Sequence, residues 1–333
     1  MKNLALLLIA VVIGALASEG AVRLAGFKPR TPQVNRFFVP GETSWSMPDP
    51  ELGWINKPGT PKAIGDGGVH MTFLDHGRRA TRADPPVGGI PVMIVGGSNA
   101  QSYGVADTDT FAWRLGLRAT RLSIENFGNG GYGTVQALML AERALRDFYK
   151  DVKPKVILLA FDDAHILRNV SDQSWIFTIS DFEGRYAAPP HFRLKDGALE
   201  FHPYRSIGYW PLETHSAAIT LLHNVWLQSF AYNTKDQAIA VTHEVLSRLA
   251  ALAKANNAIF AVAVLEDNTG VTPTLFADAA FPHVDCSRPG RTDHDAYYIA
   301  ANGHPNAALH AYFADCIGEW LDKDVLPKLD STP

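Results

Sequence analysis

A chain of 333 residues with 47% hydrophobic and 19% charged residues can bury an extended core and is too apolar for disorder. Its 30 basic residues against 34 acidic ones leave a net charge of −4, with no Lys/Arg cluster dense enough to track a phosphate backbone, which excludes nucleic acid as a partner. Two cysteines, Cys286 and Cys316, show no CxxC or Cys/His spacing, so no structural zinc is expected; a disulfide and two free thiols both remain open.

The first element follows Met1-Lys2-Asn3 as an apolar run from Leu4 to Ala17. Its length suits a signal-peptide hydrophobic region better than a spanning helix of about 20 residues, and Ala15-Leu16-Ala17 forms a cleavage site. The run resumes through Ala21, Val22, Leu24 and Ala25 past Arg23, so residues 1–27 read as a signal peptide or an uncleaved signal anchor. Residues 4–26 are then the segment that meets a membrane, and either reading exports the rest of the chain to the cell envelope, secreted or anchored.

Residues 28–60, rich in Pro, Gly and polar groups, read as a loop-rich linker and entry segment. Val69 to Thr81 suggests a short hairpin turning at Asp75-His76-Gly77. Strong signals begin at Ile90, where an apolar run to Val95 ends in Gly96-Gly97 and predicts a buried parallel strand with a helix to follow. Leu122 to Phe127 is a second strand, Thr134 opens a helix through Leu138, Leu145 and Phe148, and Val156 to Phe161 is a third strand. Residues 166–212 interrupt the rhythm with Trp175, Phe177, Phe182, Tyr186, Phe192, Tyr209 and Trp210, and read as an aromatic-rich insertion. Thr234 and Gln237 make a capping box for a long helix with Val241, Val245, Leu249 and Leu252 on one stripe, and Ile259 to Leu265 is the fourth strand. A last helix runs from Pro305, as its first helical residue, to about Leu321. Strands alternating with helices predict an α/β fold with a parallel sheet covered on both faces and ligands at the carboxyl ends of the strands.

Those carboxyl ends carry the unusual residues: Gly96-Gly97-Ser98-Asn99, the Gly-rich stretch from Asn126 to Thr134, and Asp162-Asp163. A Ser at a tight Gly turn opening a helix presents its hydroxyl outward, where backbone N–H groups and the helix dipole favour a developing oxyanion. Its base must be a distant His, and His304 in Asn302-Gly303-His304-Pro305-Asn306 stands just before the final helix. Other readings fit less well. Gly128 to Gly133 matches G-x-G-x-x-G, but the acidic residue that a dinucleotide fold places at the end of the next strand, about 20 positions on, is missing. Ala100 breaks the G-x-S-x-G elbow of an α/β-hydrolase, and Asp162, Asp163 and His165 lack a second ligand cluster for a metal.

Together the blocks resemble the SGNH/GDSL hydrolase superfamily. The family's Gly-Asp-Ser block appears as Gly96-Gly97-Ser98, followed by Gly104-Val105 and Asp107. Its Asn-x-Gly-x-x-Gly block appears as Asn126 to Gly131, and its final Asp-x-His block as Asn302-Gly303-His304. Pro50-Glu51-Leu52-Gly53-Trp54 looks like the entry segment of exported bacterial members. The resemblance implies a three-layer αβα, flavodoxin-like fold over residues 61–330, hydrolysis or transfer of O-acyl groups, and no cofactor or metal. It implies Ser98 as nucleophile, His304 as general base, and the Ser98 and Gly131 backbone N–H groups as the oxyanion hole, with Asp163 and Asn126 in support. The substrate class would be an acylated small molecule, glycan or lipid of the envelope.

Two positions depart from the family pattern. Asp162 replaces an Asn whose amide donates to the oxyanion, and a carboxylate only accepts; losing one such donor costs about 2.7 to 4 kcal/mol. Asn302 replaces the triad acid, a change that lowers turnover roughly 10⁴-fold in a serine protease, so Asp285, Asp293 and Asp295, near in sequence, are the candidates to orient His304 instead. These departures motivate the alternative of an SGNH-like domain that binds an acylated glycan or a partner without turning it over.

Overall fold

The structure, a computed structural model, describes residues 2–32, 45–60, 69–83, 88–118, 121–231, 234–288 and 294–330. Helix α1 (Lys2–Leu24) comes first, then the antiparallel hairpin of β1 (Ser46–Asp49) and β2 (Gly53–Asn56). The central unit follows as β3 (Ile90–Gly96), the one-turn α2 (Ser98–Gln101), α3 (Phe111–Arg118), β4 (Leu122–Asn126), α4 (Thr134–Asp147) and β5 (Val156–Asp162). An excursion then contains α5 (Ala164–Arg168), α6 (Gln173–Thr178), the short strands β6 (Tyr186–Ala188), β7 (His191–Lys195), β8 (Ala198–His202) and β9 (Arg205–Ile207), and α7 (Ala217–Ala231). The chain returns through α8 (Lys235–Ala255), β10 (Ile259–Glu266), α9 (Thr272–Leu275), β11 (His283–Asp285), α10 (His294–Tyr297), α11 (Ala307–Trp320) and α12 (Pro327–Asp330).

Apolar runs that bury both faces build the sheet. All seven residues of β5 are buried, and the five parallel strands stand in the order β11-β10-β5-β3-β4. Taken by position in the chain this is the 2-1-3-4-5 order of flavodoxin-like folds, whose switch point lies between β3 and β5. Leu138 of α4 and Val241, Val245 and Leu249 of α8 pack on one face. Phe111 and Leu115 of α3 with Leu309, Phe313 and Ile317 of α11 pack on the other, which makes the three-layer αβα sandwich. The Thr234/Gln237 capping box forms at the start of α8 as its spacing predicts.

Several local expectations are corrected. The last helix starts at Ala307, because the Asn306 side chain accepts from the Ala308 and Leu309 backbone N–H groups and so takes the N-cap; Pro305 lies outside, paired with Tyr298. Between Val69 and Thr81 the turn at Asp75–Gly77 forms, but its arms meet only at the Phe73–Arg79 bridge. Arg79 is fully buried against Asp107 and the Val105 carbonyl, which fixes that segment to the chain beyond Ser98. The 28–60 stretch holds the β1–β2 hairpin in its described part, and Leu52, Trp54 and Ile55 enter the main core. The excursion after β5 continues past residue 212 through α7, a helix that periodicity did not announce. Most insertion aromatics are packing: Phe192 lies in the main core, while Tyr186 and Ile207 form a small core of their own. Cys286 and Cys316 are disulfide-bonded, which joins the end of β11 to α11.

Candidate active site

Two glycines shape the turn that presents Ser98. Gly96 takes φ +153°, and a Cβ there would strike the Ala160 carbonyl of the neighbouring strand. A Cβ on Gly97 would lie 2.8 Å from His165 Nε2, 3.0 Å from the Tyr132 carbonyl oxygen and 3.3 Å from the Arg168 guanidinium. Only glycine lets the chain leave β3 so close to β5, and Ser98 becomes the first residue of α2, 8% exposed beside the switch point.

The Gly-rich loop after β4 is locked beneath that turn. Asn126 donates from Nδ2 to the Ala100 carbonyl at 2.8 Å and accepts from the Gly128 N–H at 2.8 Å, while the Asn129 N–H donates to the Gly96 carbonyl at 3.1 Å. Asn56 on β2 donates to the Gly128 carbonyl at 2.9 Å and accepts from Gln101 Nε2 at 2.5 Å; Trp54 Nε1 donates to the Gly130 carbonyl at 2.8 Å. Gly131 takes φ +80°, with the Trp54 and Trp175 rings 3.1 and 3.4 Å from where its Cβ would stand. Protein side chains therefore crowd this loop, and its glycines serve close packing.

At the end of β5, Asp162 Oδ2 accepts from Asn99 Nδ2 at 3.4 Å and sits 3.5 Å from His165 Nε2, while Oδ1 is buried without a close hydrogen-bond partner among the described residues. Burial pushes the Asp162 carboxyl up, against the opposing charge of Arg168. Burial likewise pushes His165 well below the usual histidine range, so it is neutral and its contact with Asp162 is not an ion pair. Asn99 donates also to Glu266 Oε2 at 3.2 Å, at the end of β10. Asp163 points the other way: its Oδ2 accepts from the Asn268 and Thr269 N–H groups at 2.8 and 2.9 Å, tying β5 to the loop after β10.

His304 reaches this end of the sheet from the loop before α11. Asn302 Oδ1 accepts from the His304 backbone N–H at 2.9 Å and lies 3.2 Å from its Nδ1. The backbone donor identifies that atom as the amide oxygen, so Nδ1 carries the proton and Nε2 keeps its lone pair. The Tyr103 ring packs on the His304 ring at 5.0 Å, and the Tyr103 N–H donates to the Ser98 carbonyl at 3.2 Å, which links the serine turn to the histidine loop. Burial, with the Arg168 charge second, pushes His304 down to about 4. It is therefore neutral at physiological pH.

Ser98, Gly131 and Asp162 thus stand on adjacent strand ends, Asn302 sits on His304, and Asn126 and Asp163 hold the loops around them. Asp285 is spent elsewhere, since its Oδ1 accepts from the Ser287 N–H and hydroxyl at 2.8 and 2.6 Å. Asp293 and the Asp295 side chain lie outside the described residues. Sequence reasoning missed Arg168, whose guanidinium donates to the Tyr132 carbonyl at 3.1 Å beneath the Trp175 ring; it missed Asn99, Tyr103 and Glu266 as well. Asn99 and Glu266 carried only a positional signal, their places at the carboxyl ends of predicted strands. Among the described residues no group of three His, Cys, Asp or Glu side chains fits a metal ion.

The fold and site define an αβα protein with a buried serine and a neutral histidine at its switch point. No protein-family model and no curated protein matches the chain. Among solved structures it is similar to a member of the lipolytic G-D-S-L family from Veillonella parvula, at 13% identity over 70% of this chain and 98% of that chain, with a TM-score of 0.36. It is similar to the psychrotrophic esterase EstA from Pseudoalteromonas (12% identity, 70% and 100% covered, TM-score 0.37). A GDSL-like lipase from Bacteroides thetaiotaomicron is a third such structure (11% identity, 70% and 88% covered, TM-score 0.38). Likeness at this level says nothing of chemistry, which rests on the site itself.

Proposed function

We propose that this chain is a serine esterase or acyltransferase of the SGNH/GDSL type that acts on O-acyl esters of an envelope glycan or lipid. The observation that carries the reading is the Asn302–His304 pair: a neutral imidazole at the Ser98 end of the sheet, with its tautomer set by an amide oxygen. An amide in this place fails in a triad when it forces the wrong tautomer. Here the His304 backbone N–H fixes the amide oxygen toward Nδ1, so Nε2 stays available as the base.

Ser98 Oγ attacks the acyl carbon as His304 Nε2 takes its proton. The oxyanion is held by the Ser98 and Gly131 N–H groups, and the C–O bond breaks as His304 returns the proton to the leaving alcohol. Water, or a second alcohol in a transferase, repeats the steps in reverse and frees Ser98. Burial favours the neutral carboxylic acid form of Asp162, the form that can donate where an ionised carboxylate cannot. Asn302 adds no negative charge, so it stabilises the imidazolium less than an acid would and the turnover is slow.

The test is a burst assay of the full-length protein in detergent with p-nitrophenyl acetate, beside a Ser98→Ala variant of unchanged circular dichroism. One equivalent of p-nitrophenol released only by the wild type supports the reading. Equal release from both proteins overturns it, and silence from both moves the assignment to an SGNH-like binding domain.

A further inference from the structure

A helix that covers a core on one side of a water-soluble domain carries charge on the other. α8 obeys this, with Lys235, Asp236, Glu244, Arg248 and Lys254 along its 21 residues. α7 does not: its 15 residues include no Asp, Glu, Lys or Arg. Ala217, Thr220, His223 and Leu227 face inward and are buried, while Leu222, Val225 and Trp226 share the opposite face, 59%, 56% and 37% exposed. Leu212, just ahead of the helix, is 64% exposed as well.

This surface begins where α1 ends. α1 has 23 residues, none buried, and is long and apolar enough to cross a membrane. Its last turns are fastened to the start of α7: Glu19 accepts from the Ala217 and Ala218 N–H groups at 2.9 and 3.0 Å and from the Ser216 hydroxyl at 2.7 Å. Arg23 pairs with Glu19 at 2.5 Å and donates to the His215 carbonyl at 2.9 Å. Beyond the helix, the Arg30 N–H donates to the Glu213 carbonyl at 3.0 Å, and its guanidinium lies over the Tyr186 ring and bonds Asn224 of α7. Glu19 is the first charged residue after Lys2, and the helix between them is roughly 25 Å long, close to the thickness of a bilayer's hydrocarbon core. The Glu19 junction therefore sets the N-terminus of α7 at the level where α1 leaves the hydrocarbon.

We infer that α7, with Leu212, is a second membrane contact: its Leu222, Val225 and Trp226 face lies in the interfacial layer of the bilayer that α1 spans, and α1 is retained uncleaved. Tryptophan favours that layer, and a face without Lys or Arg binds by apolar burial, so the contact does not depend on anionic lipid or on salt. Cleavage after Ala17 would leave Glu19 as the second residue of the chain and loosen the cap on α7. The inference is independent of the proposed chemistry.

The full-length protein is reconstituted in phosphatidylcholine vesicles as four single-site variants, Leu222→Cys, Val225→Cys, Leu117→Cys and Val152→Cys, each labelled with a polarity-sensitive fluorophore. All four positions are exposed, and the native cysteines are already bonded to each other. Brominated acyl chains are expected to quench positions 222 and 225 roughly twofold or more and to leave 117 and 152 unchanged, at low and high salt alike. Equal emission at the four positions overturns the inference. So does a blue shift at 222 and 225 without bromine quenching, which places a protein or a second copy on this face. An intact mass lacking residues 1–17 after expression in a secreting host overturns the retained anchor.

Discussion

The serine side of the site and its histidine side are built by different means. Ser98 sits on a turn between buried strands, fixed by glycines that leave no room for a Cβ and by the Asn56, Gln101 and Asn126 hydrogen bonds beneath it. His304 sits on a loop held by the Asn302 amide, by the Tyr298–Pro305 bridge and, at its base, by the Cys286–Cys316 bond that encloses it. Sheet packing places Ser98, whereas a cross-link and a few loop hydrogen bonds place His304. Damage to the two sides should then read out differently.

The largest effect expected from this contrast follows loss of the cross-link. A Cys286→Ser/Cys316→Ser double variant should lose about 3 to 4 kcal/mol of stability through the freed loop, a fall in Tm of roughly 10 °C. Its kcat should fall further than its Tm explains when assayed well below the transition, because His304 lies inside the loop. Unchanged kcat in the folded double variant would contradict this assignment.

Next in size is the amide itself. Asn302→Asp should raise kcat about tenfold or more, by putting a charge beside the imidazolium that forms in the transition state. The wild-type base is lost only as pH falls through about 4, since His304 must be neutral to act. In the variant the acid limb of kcat/KM should move up by roughly 1 to 3 pH units. The sign carries over to stability. A folded-state value below the usual 6.5 means that unfolding takes up protons between pH 6.5 and 4, so acid weakens the native fold in that window, and Asn302→Asp should narrow it.

The smallest effect concerns Asp162. Its folded value is raised above 3.8, so the native state loses stability as pH rises from there through the folded value. Asp162→Asn should remove that loss, raise Tm at pH values above 3.8, and make the rate less dependent on pH there, since an amide donates at every pH. Lower activity at all pH values would show that Asp162 does not act as a donor.

Local pattern carried much of this structure. The apolar runs at Ile90, Leu122, Val156 and Ile259 are the four principal strands, and the turns that carry Ser98, Gly131 and His304 were legible because turns and strand ends have short-range signatures. Arg168 and Asn99 were not, since their approach to Asp162 depends on which strands become neighbours. Nor was α7: its apolar residues lie on both faces, so no 3.6-residue stripe marks it. The displacement of Pro305 by Asn306 at the last helix shows two good start signals in competition, with the side chain that can accept hydrogen bonds winning.

The measurement that tests the central claim most directly is peptide mapping after reaction with a fluorophosphonate, on the full-length wild type, His304→Ala and Ser98→Ala proteins. One phosphonyl adduct on Ser98 is expected in the wild type, labelling slowed about 10³-fold or more in His304→Ala, and none in Ser98→Ala. An adduct on another residue, or labelling of Ser98 that is indifferent to His304, would contradict it.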